Sequence, residues 1–319
     1  MKSPRIDPVG LAGGVVLPLL ASGLILALAA VWEPRLPDPI AQHWGVGGAP
    51  NQFGDLWPNT WRMAVLVVAV GGGCGFVAML SRSLLMLRQI LLVIGLTMTG
   101  ALAALWISAL AAQLDLTDAA DTRLAEWPPA LFGVLGFVTG FVLARRLTDG
   151  RLRTAATERP PANLPRRAVV PLSETVTSPM WLQIVLVVPL AALAVLLTVA
   201  SRTAWPLLLI GSVGLLVFTM LRARIDVDGT GLRATVTGMT AFALTITEIA
   251  KAEVTTVSPG KQYGGYGLRM RGKGHYGLIL RRGPAVAVTT AAGQVFTLTT
   301  PRAEEIAGVL NTAADQSRP

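Results

Sequence analysis

Six long runs of apolar residues occupy the chain up to residue 220. They are Leu11–Val31, Met63–Leu80, Ile90–Ala112, Trp127–Ala144, Met180–Ala200 and Ala204–Met220. A helix needs about 20 apolar residues to cross the hydrocarbon core of a bilayer, and lipid leaves a spanning segment to satisfy its own backbone hydrogen bonds. The runs therefore predict a membrane all-α fold with about six transmembrane helices. The first run is longer than the apolar region of a signal peptide, so we expect an uncleaved span.

After Leu221 the pattern changes to short alternating segments, which are typical of strands. Arg224–Thr237 predicts two strands around an Asp-Gly turn. Further strands are predicted at Ala241–Ile249, Ala252–Val257, Tyr276–Arg281, Ala285–Thr290 and Gln294–Thr299. Pro301–Asn311 begins with proline and carries acidic residues in its first turn, which predicts a helix. Residues 222–316 are therefore expected to form a small soluble β-rich domain of about seven strands, closed by one helix.

Charged residues cluster at the ends of the apolar runs, so their positions matter more than the net charge of +9. Only 14% of the residues are charged, against about 25% in soluble domains, which fits a chain solvated largely by lipid. Basic residues precede the first run and follow the second, fourth and sixth, whereas acidic residues follow the third. These residues are Lys2, Arg5, Arg82, Arg88, Arg145, Arg146, Arg222 and Arg224, and Asp115, Asp118, Asp121 and Glu126. The positive-inside rule then predicts that both termini are cytoplasmic.

Residues 145–178 form a basic, proline-rich cytoplasmic linker between a four-helix membrane domain, residues 1–144, and a transmembrane helical hairpin, residues 179–221. Its prolines, Pro160, Pro161, Pro165 and Pro171, argue against a continuous helix. A flexible strap that lies on anionic headgroups is the simpler interpretation, and regulated binding of a partner is the alternative.

The glycine-rich segment Gly264–Gly274 precedes the late strands of the soluble domain. Together with about seven strands and a closing helix, it resembles the pleckstrin-homology-like (PH-like) domains tethered to bacterial membrane proteins, over about Arg224–Ala314. Within it Arg269, Arg271 and Lys273 alternate with apolar residues, so one strand face could be cationic. That face would contact acidic lipid or a partner, or it would simply be solvated.

The most distinctive motif follows the first run, in a predicted extracytoplasmic loop over residues 32–61. Its characteristic residues are Leu36, Pro37, Ile40, His43, Trp44, Gly48 and Pro50. They resemble the signature of a membrane domain of unknown function that also occurs in the immunity family for sporulation-delaying toxins. The chain departs from the pattern at Ala41, Gly45, Asn51 and Asp55, which puts a charge-dependent role of the motif in doubt. The resemblance implies a bacterial cell membrane protein with a sensory or protective role.

Prolines and glycines restrict this loop to a compact form, with Trp44 and Phe53 available to pack onto the membrane surface. His43 is the only histidine of the region and suggests metal binding or proton sensing. A lone histidine without cysteine is a poor metal site, and the single cysteine, Cys74, lies inside an apolar run. We therefore expect no metal, and a His43 side chain that hydrogen-bonds within the loop.

No ionisable residue lies in the central part of any run, which argues against a proton-coupled transporter or a charge-gated channel. Small residues recur at helix-contact spacings, within one chain or between copies in a homo-oligomer. They are Gly71, Gly75, Gly136, Gly140, Gly211 and Gly214. No catalytic signature is present, so neither an enzyme nor a cofactor is expected.

The sequence thus predicts a non-enzymatic integral membrane protein that couples an extracytoplasmic loop to a cytoplasmic PH-like domain, in a sensory, signalling or toxin-immunity-like role. The alternative is a transport or membrane-assembly component that uses the helix bundle as a path or scaffold. Expected partners are the lipid bilayer, anionic lipids of the inner leaflet and a cytoplasmic protein. Nucleic acid is not expected, because few aromatic residues could stack on bases.

Overall fold

The computed structural model describes residues 6–45, 48–125, 127–201, 204–272 and 274–318. Three of the flanking charges used above for orientation, Lys2, Arg5 and Glu126, lie outside these residues. The chain divides into two compact units. The first consists of Met1–Gly150 with Ala194–Leu209, and the second of Arg151–Leu193 with Ile210–Pro319.

Five helices in the described part of the chain are long and apolar enough to span a membrane. They are α1 (Pro8–Arg35), α2 (Leu56–Met79), α3 (Leu85–Ala111), α4 (Trp127–Ala144) and α5 (Met180–Ser201). Each coincides with one of the predicted spans. The sixth predicted span is occupied by α6 (Trp205–Met220), which is apolar but has 16 residues. At 1.5 Å per residue its length is about 24 Å, which is less than the roughly 30 Å of a hydrocarbon core.

The loop between α1 and α2 is shorter than predicted, because α1 continues to Arg35 and α2 begins at Leu56. The prediction of a loop over residues 32–61 was therefore wrong at both ends. Polar residues in the first turns of α2 suggested a loop, but they bond to their own helix. Asn59 donates to the carbonyl of Asp55 at 2.6 Å, and the Thr60 hydroxyl donates to the carbonyl of Leu56 at 2.8 Å.

Glycines allow the helices of the first unit to pack closely. A Cβ atom at Gly14 would lie 2.2 Å from the carbonyl oxygen of Gly75, and one at Gly136 would lie 2.2 Å from that of Leu96. The predicted small-residue contacts at Gly75 and Gly136 are thus made within the chain. Gly211 in α6 has no neighbouring atom within 4 Å of its Cβ position among the described residues. A contact between copies stays a prediction.

Arg88 is fully buried and connects four segments at one end of these helices. Its guanidinium donates to the carbonyls of Ala78 at 2.9 Å, Ser81 at 3.3 Å and Thr148 at 2.7 Å, and it pairs with Asp7 at 2.7 Å. Burial alone would raise the pKa of the Asp7 carboxyl. The hydrogen bonds from Arg88 and from backbone N–H groups outweigh this effect and hold the pKa below its usual value.

The second unit contains two β-sheets. The first is an antiparallel meander of β3 (Leu172–Thr177), β4 (Arg222–Asp228), β5 (Gly231–Val236) and β6 (Met239–Thr245). The strands of the second are β7 (Ile249–Val257), β8 (Gly267–Met270), β9 (His275–Ile279), β10 (Gly283–Thr290) and β11 (Val295–Thr299). Their order in the sheet is β7-β10-β11-β9-β8. A short helix α7 (Pro259–Tyr263) precedes β8, and helix α8 (Ala303–Gln316) packs against β7, β10 and β4.

One strand of this unit lies where none was predicted, and another lies in the segment whose alternating residues suggested a strand face. β3 belongs to the linker and pairs with β4, with Leu172 opposite Val227 and Thr177 opposite Arg222. β8 lies in the glycine-rich segment and pairs with β9. The predicted strand Ala241–Ile249 is interrupted by a turn at Ile246–Glu248, where the Glu248 carboxylate accepts a hydrogen bond from the backbone N–H of Thr245.

The linker is not the flexible strap that its prolines suggested, because its arginines contact the β-rich part of the same unit. Arg151 lies 3.8 Å from the buried Glu248, donates to the carbonyl of Ala243 at 2.8 Å, and stacks over the ring of Phe296 at 4.8 Å from its centroid. Arg166 pairs with Asp315 in α8 at 2.7 Å. These two side chains therefore bond within the second unit, and contact of the linker with headgroups stays a prediction.

Asn311 in α8 completes this packing. Its side chain accepts from the N–H of Ala252 in β7 at 2.9 Å and donates to the carbonyl of the same residue at 2.8 Å. It also donates to the carbonyl of Pro165 in the linker at 3.2 Å. One amide therefore satisfies the edge of β7 and fixes the linker.

We expect Asp7→Asn to destabilise the protein by about 3–5 kcal/mol, because it leaves the buried Arg88 charge without its counterion. A lower unfolding temperature in detergent, followed by tryptophan fluorescence, measures the effect. The exposed substitution Asp38→Asn is the matched control and should change little. Because the folded pKa of Asp7 is depressed, its stabilisation is present above the ordinary pKa of 3.8 and is lost as the pH falls below it. Equal unfolding temperatures for the two variants would contradict the assignment.

Glu248→Gln should loosen the linker, because it removes the charge facing Arg151 and Arg153 but keeps an acceptor for Thr245. A loss of about 1 kcal/mol would raise the open fraction about fivefold. Limited trypsin digestion measures this as faster cleavage after Arg151 and Arg153. Glu253→Gln, which removes a half-exposed carboxylate paired with Lys251, is the control, and equal cleavage of both variants would show that the buried pair does not hold the linker.

Candidate functional site

The motif segment folds as a two-stranded hairpin at one end of the first unit. We call residues 36–55 the loop hairpin. Its strands are β1 (Ile40–Trp44) and β2 (Pro50–Gly54), and they pair antiparallel with Ile40 opposite Gly54. Gly48 in the turn has a φ of 75°, a conformation that favours glycine. A short turn therefore replaces what the sequence predicted only as a compact loop.

Gln113, two residues beyond α3, fastens the loop hairpin to the helices. Its Oε1 accepts from the N–H of Ala41 at 2.6 Å, and its Nε2 donates to the carbonyl of Ala41 at 3.1 Å. The same Nε2 donates to the carbonyl of Ala109 in α3 at 2.9 Å. Gln113 and Ala41 are both fully buried. The Gln113 side chain thus bonds the N–H and the carbonyl of Ala41 in β1, as a neighbouring strand would.

Two further polar contacts lie at the same end of the bundle as the loop hairpin. The Arg35 Nε donates to Asp115 at 3.0 Å, and this hydrogen bond lowers the pKa of the Asp115 carboxyl. Both side chains are exposed, so solvent screens the pair and its effect on stability is small. The indole N–H of Trp106 donates to the hydroxyl of Thr60 at 3.2 Å, inside the helical core.

The motif residues divide between two faces of the loop hairpin. Leu36, Ile40 and Trp44 pack against the buried cluster formed by α1, α2 and α3. The expectation that Trp44 packs onto the membrane surface was therefore wrong, since its ring joins the helical core. Phe53 is 44% exposed. Pro37 is buried, whereas Gly48 and Pro50 at the turn are half-buried.

His43 lies on the exposed face of β1. Its Nδ1 is 2.6 Å from the Oδ1 of Asn51 across the hairpin, which is the hydrogen bond within the loop that we expected. Asn51 is one of the positions that depart from the motif, so an amide here supplies the acceptor that the usual aspartate would offer. Among the residues that the structure describes, no three His, Cys, Asp or Glu side chains come together to hold a metal ion.

A cavity of about 370 Å³ lies beneath the turn of the loop hairpin. Trp44 and Gly48 form part of its roof, Ala101 belongs to its wall on α3, and Gly133 to its wall on α4. The motif residues are thus continuous with a space between two membrane-length helices. The motif predicted a surface loop, and nothing in its spacing pointed to this cavity.

The second predicted site, the cationic face of Arg269, Arg271 and Lys273, is only partly assembled. β8 ends at Met270, so it contains Arg269 but not Arg271. Arg269 is half-buried, whereas Arg271 is exposed, with its guanidinium 6.0 Å from the ring centroid of Tyr263. Lys273 lies outside the described residues.

The segment before β8 contacts the start of α5. The ring of Tyr266 meets that of Trp181 edge to face, with 5.7 Å between centroids. Met270, next to Arg269 and Arg271, is 57% exposed. The glycine-rich segment therefore lies beside the first turn of an apolar, membrane-length helix.

Sequence reasoning missed the residues that position these sites. Gln113 was not considered, although a polar residue directly after an apolar run indicates a helix end that needs a partner. Arg88 was treated only as a topology signal. In the structure it is the fourth residue of α3 and is buried.

Comparison with known proteins identifies one region. Residues 20–68 match the model of a Domain of unknown function (DUF1648). This range contains most of α1, the loop hairpin and the first half of α2. No curated protein and no solved structure matches the chain.

Gln113→Leu should release the loop hairpin, because it leaves the buried N–H and carbonyl of Ala41 without partners. The cost of such unsatisfied groups is about 1–3 kcal/mol. Hydrogen exchange of residues 40–54 should accelerate, while exchange within α4 stays the same. Gln52→Leu, at an exposed position of β2, is the control. If Gln113→Leu leaves the exchange of β1 unchanged, the clamp does not hold the hairpin.

Proposed function

We propose that this chain is a non-enzymatic integral membrane protein of the bacterial cell membrane with a sensory, signalling or toxin-immunity-like role. Its loop hairpin faces the outside, and a cytoplasmic PH-like domain responds. The observation that carries the proposal is the position of Trp44 and Gly48. These motif residues roof a cavity that extends between α3 and α4, so whatever binds the hairpin also acts on the helices.

Six spans with both termini in the cytoplasm are the topology that we propose. β3 precedes α5 and β4 follows α6, and Thr177 pairs with Arg222 in one sheet. The two ends of the helix pair must therefore lie on the same side of the bilayer. If α5 crosses the membrane, α6 must return across it, and the short length of α6 is then accommodated by local thinning of the bilayer.

A PH-like identity for the β-rich unit is supported by its element order. A meander of four antiparallel strands, β3 to β6, is followed by the antiparallel strands β7, β10 and β11 and by a C-terminal helix. Helix α8 packs against strands of both sheets, as a closing helix does. The hairpin of β8 and β9 is an insertion between β7 and β10.

Contact of this domain with anionic lipid is part of the proposal. Tyr266 meets Trp181 at the beginning of α5, and tryptophan favours the membrane interface. Arg269, Arg271 and the exposed Met270 are therefore expected at headgroup level. A cytoplasmic protein is the proposed partner for the remaining surface. The transport alternative is not favoured by the cavity beneath the loop hairpin, because its described lining is almost entirely apolar.

Capture of partners from the native host tests the coupling. Three tagged forms are compared at equal membrane levels by quantitative mass spectrometry. They are the full chain, its Trp44→Ala variant, and a form without both 151–177 and 222–319. The two segments are removed together because β3 and β4 share a sheet. We expect a cytoplasmic protein that is lost with the domain and whose capture changes at least about twofold in Trp44→Ala.

The control is Phe53→Ala, which removes an exposed aromatic ring of the same hairpin. It should leave capture unchanged. A partner that depends on the domain but is indifferent to Trp44→Ala would contradict coupling. The absence of any domain-dependent partner would contradict the signalling role itself.

A further inference from the structure

We propose that the cavity beneath the loop hairpin is a binding site for one acyl chain of a phospholipid from the leaflet on the hairpin side. In the topology proposed above this is the outer leaflet. The proposal is argued from the walls and the depth of the cavity. It does not depend on a signalling role of the protein. Bound lipid would be a structural or regulatory ligand of the first unit.

The walls of the cavity are apolar stripes on two facing helices. Met98, Ala101 and Leu105 lie one turn apart on α3, and on α4 the adjacent Pro129 and Ala130 lie one turn before Gly133. Two further apolar residues, Leu124 and Ala125, complete the wall between the helices. None of the described lining residues carries a charge.

Thr97 contributes the only side-chain hydroxyl among the described lining residues, and it is already bonded. Its Oγ1 donates to the carbonyl of Val93, one turn earlier in α3, at 2.7 Å. A water molecule needs two to four polar partners to be held in a buried site. These walls therefore favour an apolar occupant over water.

The depth of the cavity matches the acyl region of a bilayer. Leu105 lies six residues and Thr97 fourteen residues before the end of α3 at Ala111, which places them about 9 and 21 Å along the helix axis from that end. Gly133 lies six residues after the start of α4 at Trp127, again about 9 Å from the same end. A hydrocarbon core about 30 Å thick therefore brings lipid tails to this level.

Lipid acyl chains are also the apolar molecules that would lie next to the cavity. Beyond its cavity face, α4 exposes Leu131, Phe132, Leu135 and Val138, each between 45% and 51% exposed. In a membrane these side chains meet acyl chains. An acyl chain that moves from the surrounding lipid into the cavity stays in an apolar environment. There it is enclosed by protein side chains, as ligands of apolar pockets are.

The roof of the cavity supplies a polar end to the site. The Trp44 indole N–H is buried, and it has no acceptor within the part of the chain that the structure describes. A buried donor without an acceptor is unfavourable, and an ester carbonyl at the upper end of an acyl chain is the lipid group that can bond to it. This requirement favours a phospholipid over a plain hydrocarbon.

Photo-crosslinking in defined vesicles tests the site. The purified full chain is reconstituted in phosphatidylethanolamine and phosphatidylglycerol, with increasing fractions of a phosphatidylglycerol that carries a diazirine on one acyl chain. Crosslinks are mapped by mass spectrometry. We expect saturable labelling of the Thr97–Leu105 segment, in contrast to labelling near Leu135 that rises in proportion to the probe. Labelling of both segments in proportion to the probe would overturn the proposal, and this result needs only the wild-type chain.

Two cavity-filling variants, Ala101→Trp and Ala130→Trp, should abolish the saturable component. Leu135→Trp is the matched control on the lipid-facing side of α4 and should retain it. Trp44→Phe replaces the indole by a smaller aromatic ring without an N–H, and it should shift saturation to a higher probe fraction. Saturable labelling that survives both filling variants in folded protein would contradict the assignment.

Competition distinguishes the source of the chain. Unlabelled phosphatidylglycerol should displace the probe. Displacement by palmitate, but not by the phospholipid, would identify a free fatty acid and overturn the phospholipid assignment. Neither result depends on partner capture in cells, so the lipid site and the signalling role can fail separately.

Discussion

Buried Arg88 is the interaction on which the helical unit depends, because helix ends leave carbonyl groups that need donors away from water. Its guanidinium bonds to a carbonyl in the last turn of α2 and to one beyond the end of α4, and the Asp7 carboxylate, just before α1, balances its charge. One side chain therefore fixes the positions of four segments relative to one another along the helix axes. The glycine crossings depend on that setting, because a contact as close as that between Gly14 and Gly75 tolerates little sliding.

The need to give buried backbone groups hydrogen-bond partners also explains how the strand edges are satisfied. Gln113 bonds both backbone groups of Ala41, and Asn311 bonds both backbone groups of Ala252. In each place a side-chain amide takes the position of a neighbouring strand, which leaves less of the strand edge open to other chains. The loop hairpin is thus held by the end of α3, and the β-rich unit by α8. Both attachments use residues that local sequence patterns treat as ordinary polar positions.

Features that depend only on neighbouring residues could be predicted from the sequence, whereas contacts between distant segments could not. The span Trp127–Ala144 has the predicted bounds, since length and apolarity alone define it. The β-rich unit was foreseen from alternation, but β3 was not, because its partner strand is separated from it by two helices. The linker arginines were also ambiguous, because Arg151 could pair with a headgroup or with a carboxylate. Only the fold brings Glu248 to it. Trp44 was assigned to the membrane surface for the same reason.

The pairing of β3 with β4 has a consequence for biosynthesis. The ribosome makes β3 first, and its partner appears only after α5 and α6 have been synthesised. Until then β3 has no partner strand in this sheet, and its last residue, Thr177, cannot pair with Arg222. The sheet can close only when both helices have been delivered with their ends on one side. Completion of this sheet therefore depends on where the two helices end, and a chain with a misplaced α6 keeps an exposed strand edge that is prone to pair with other chains.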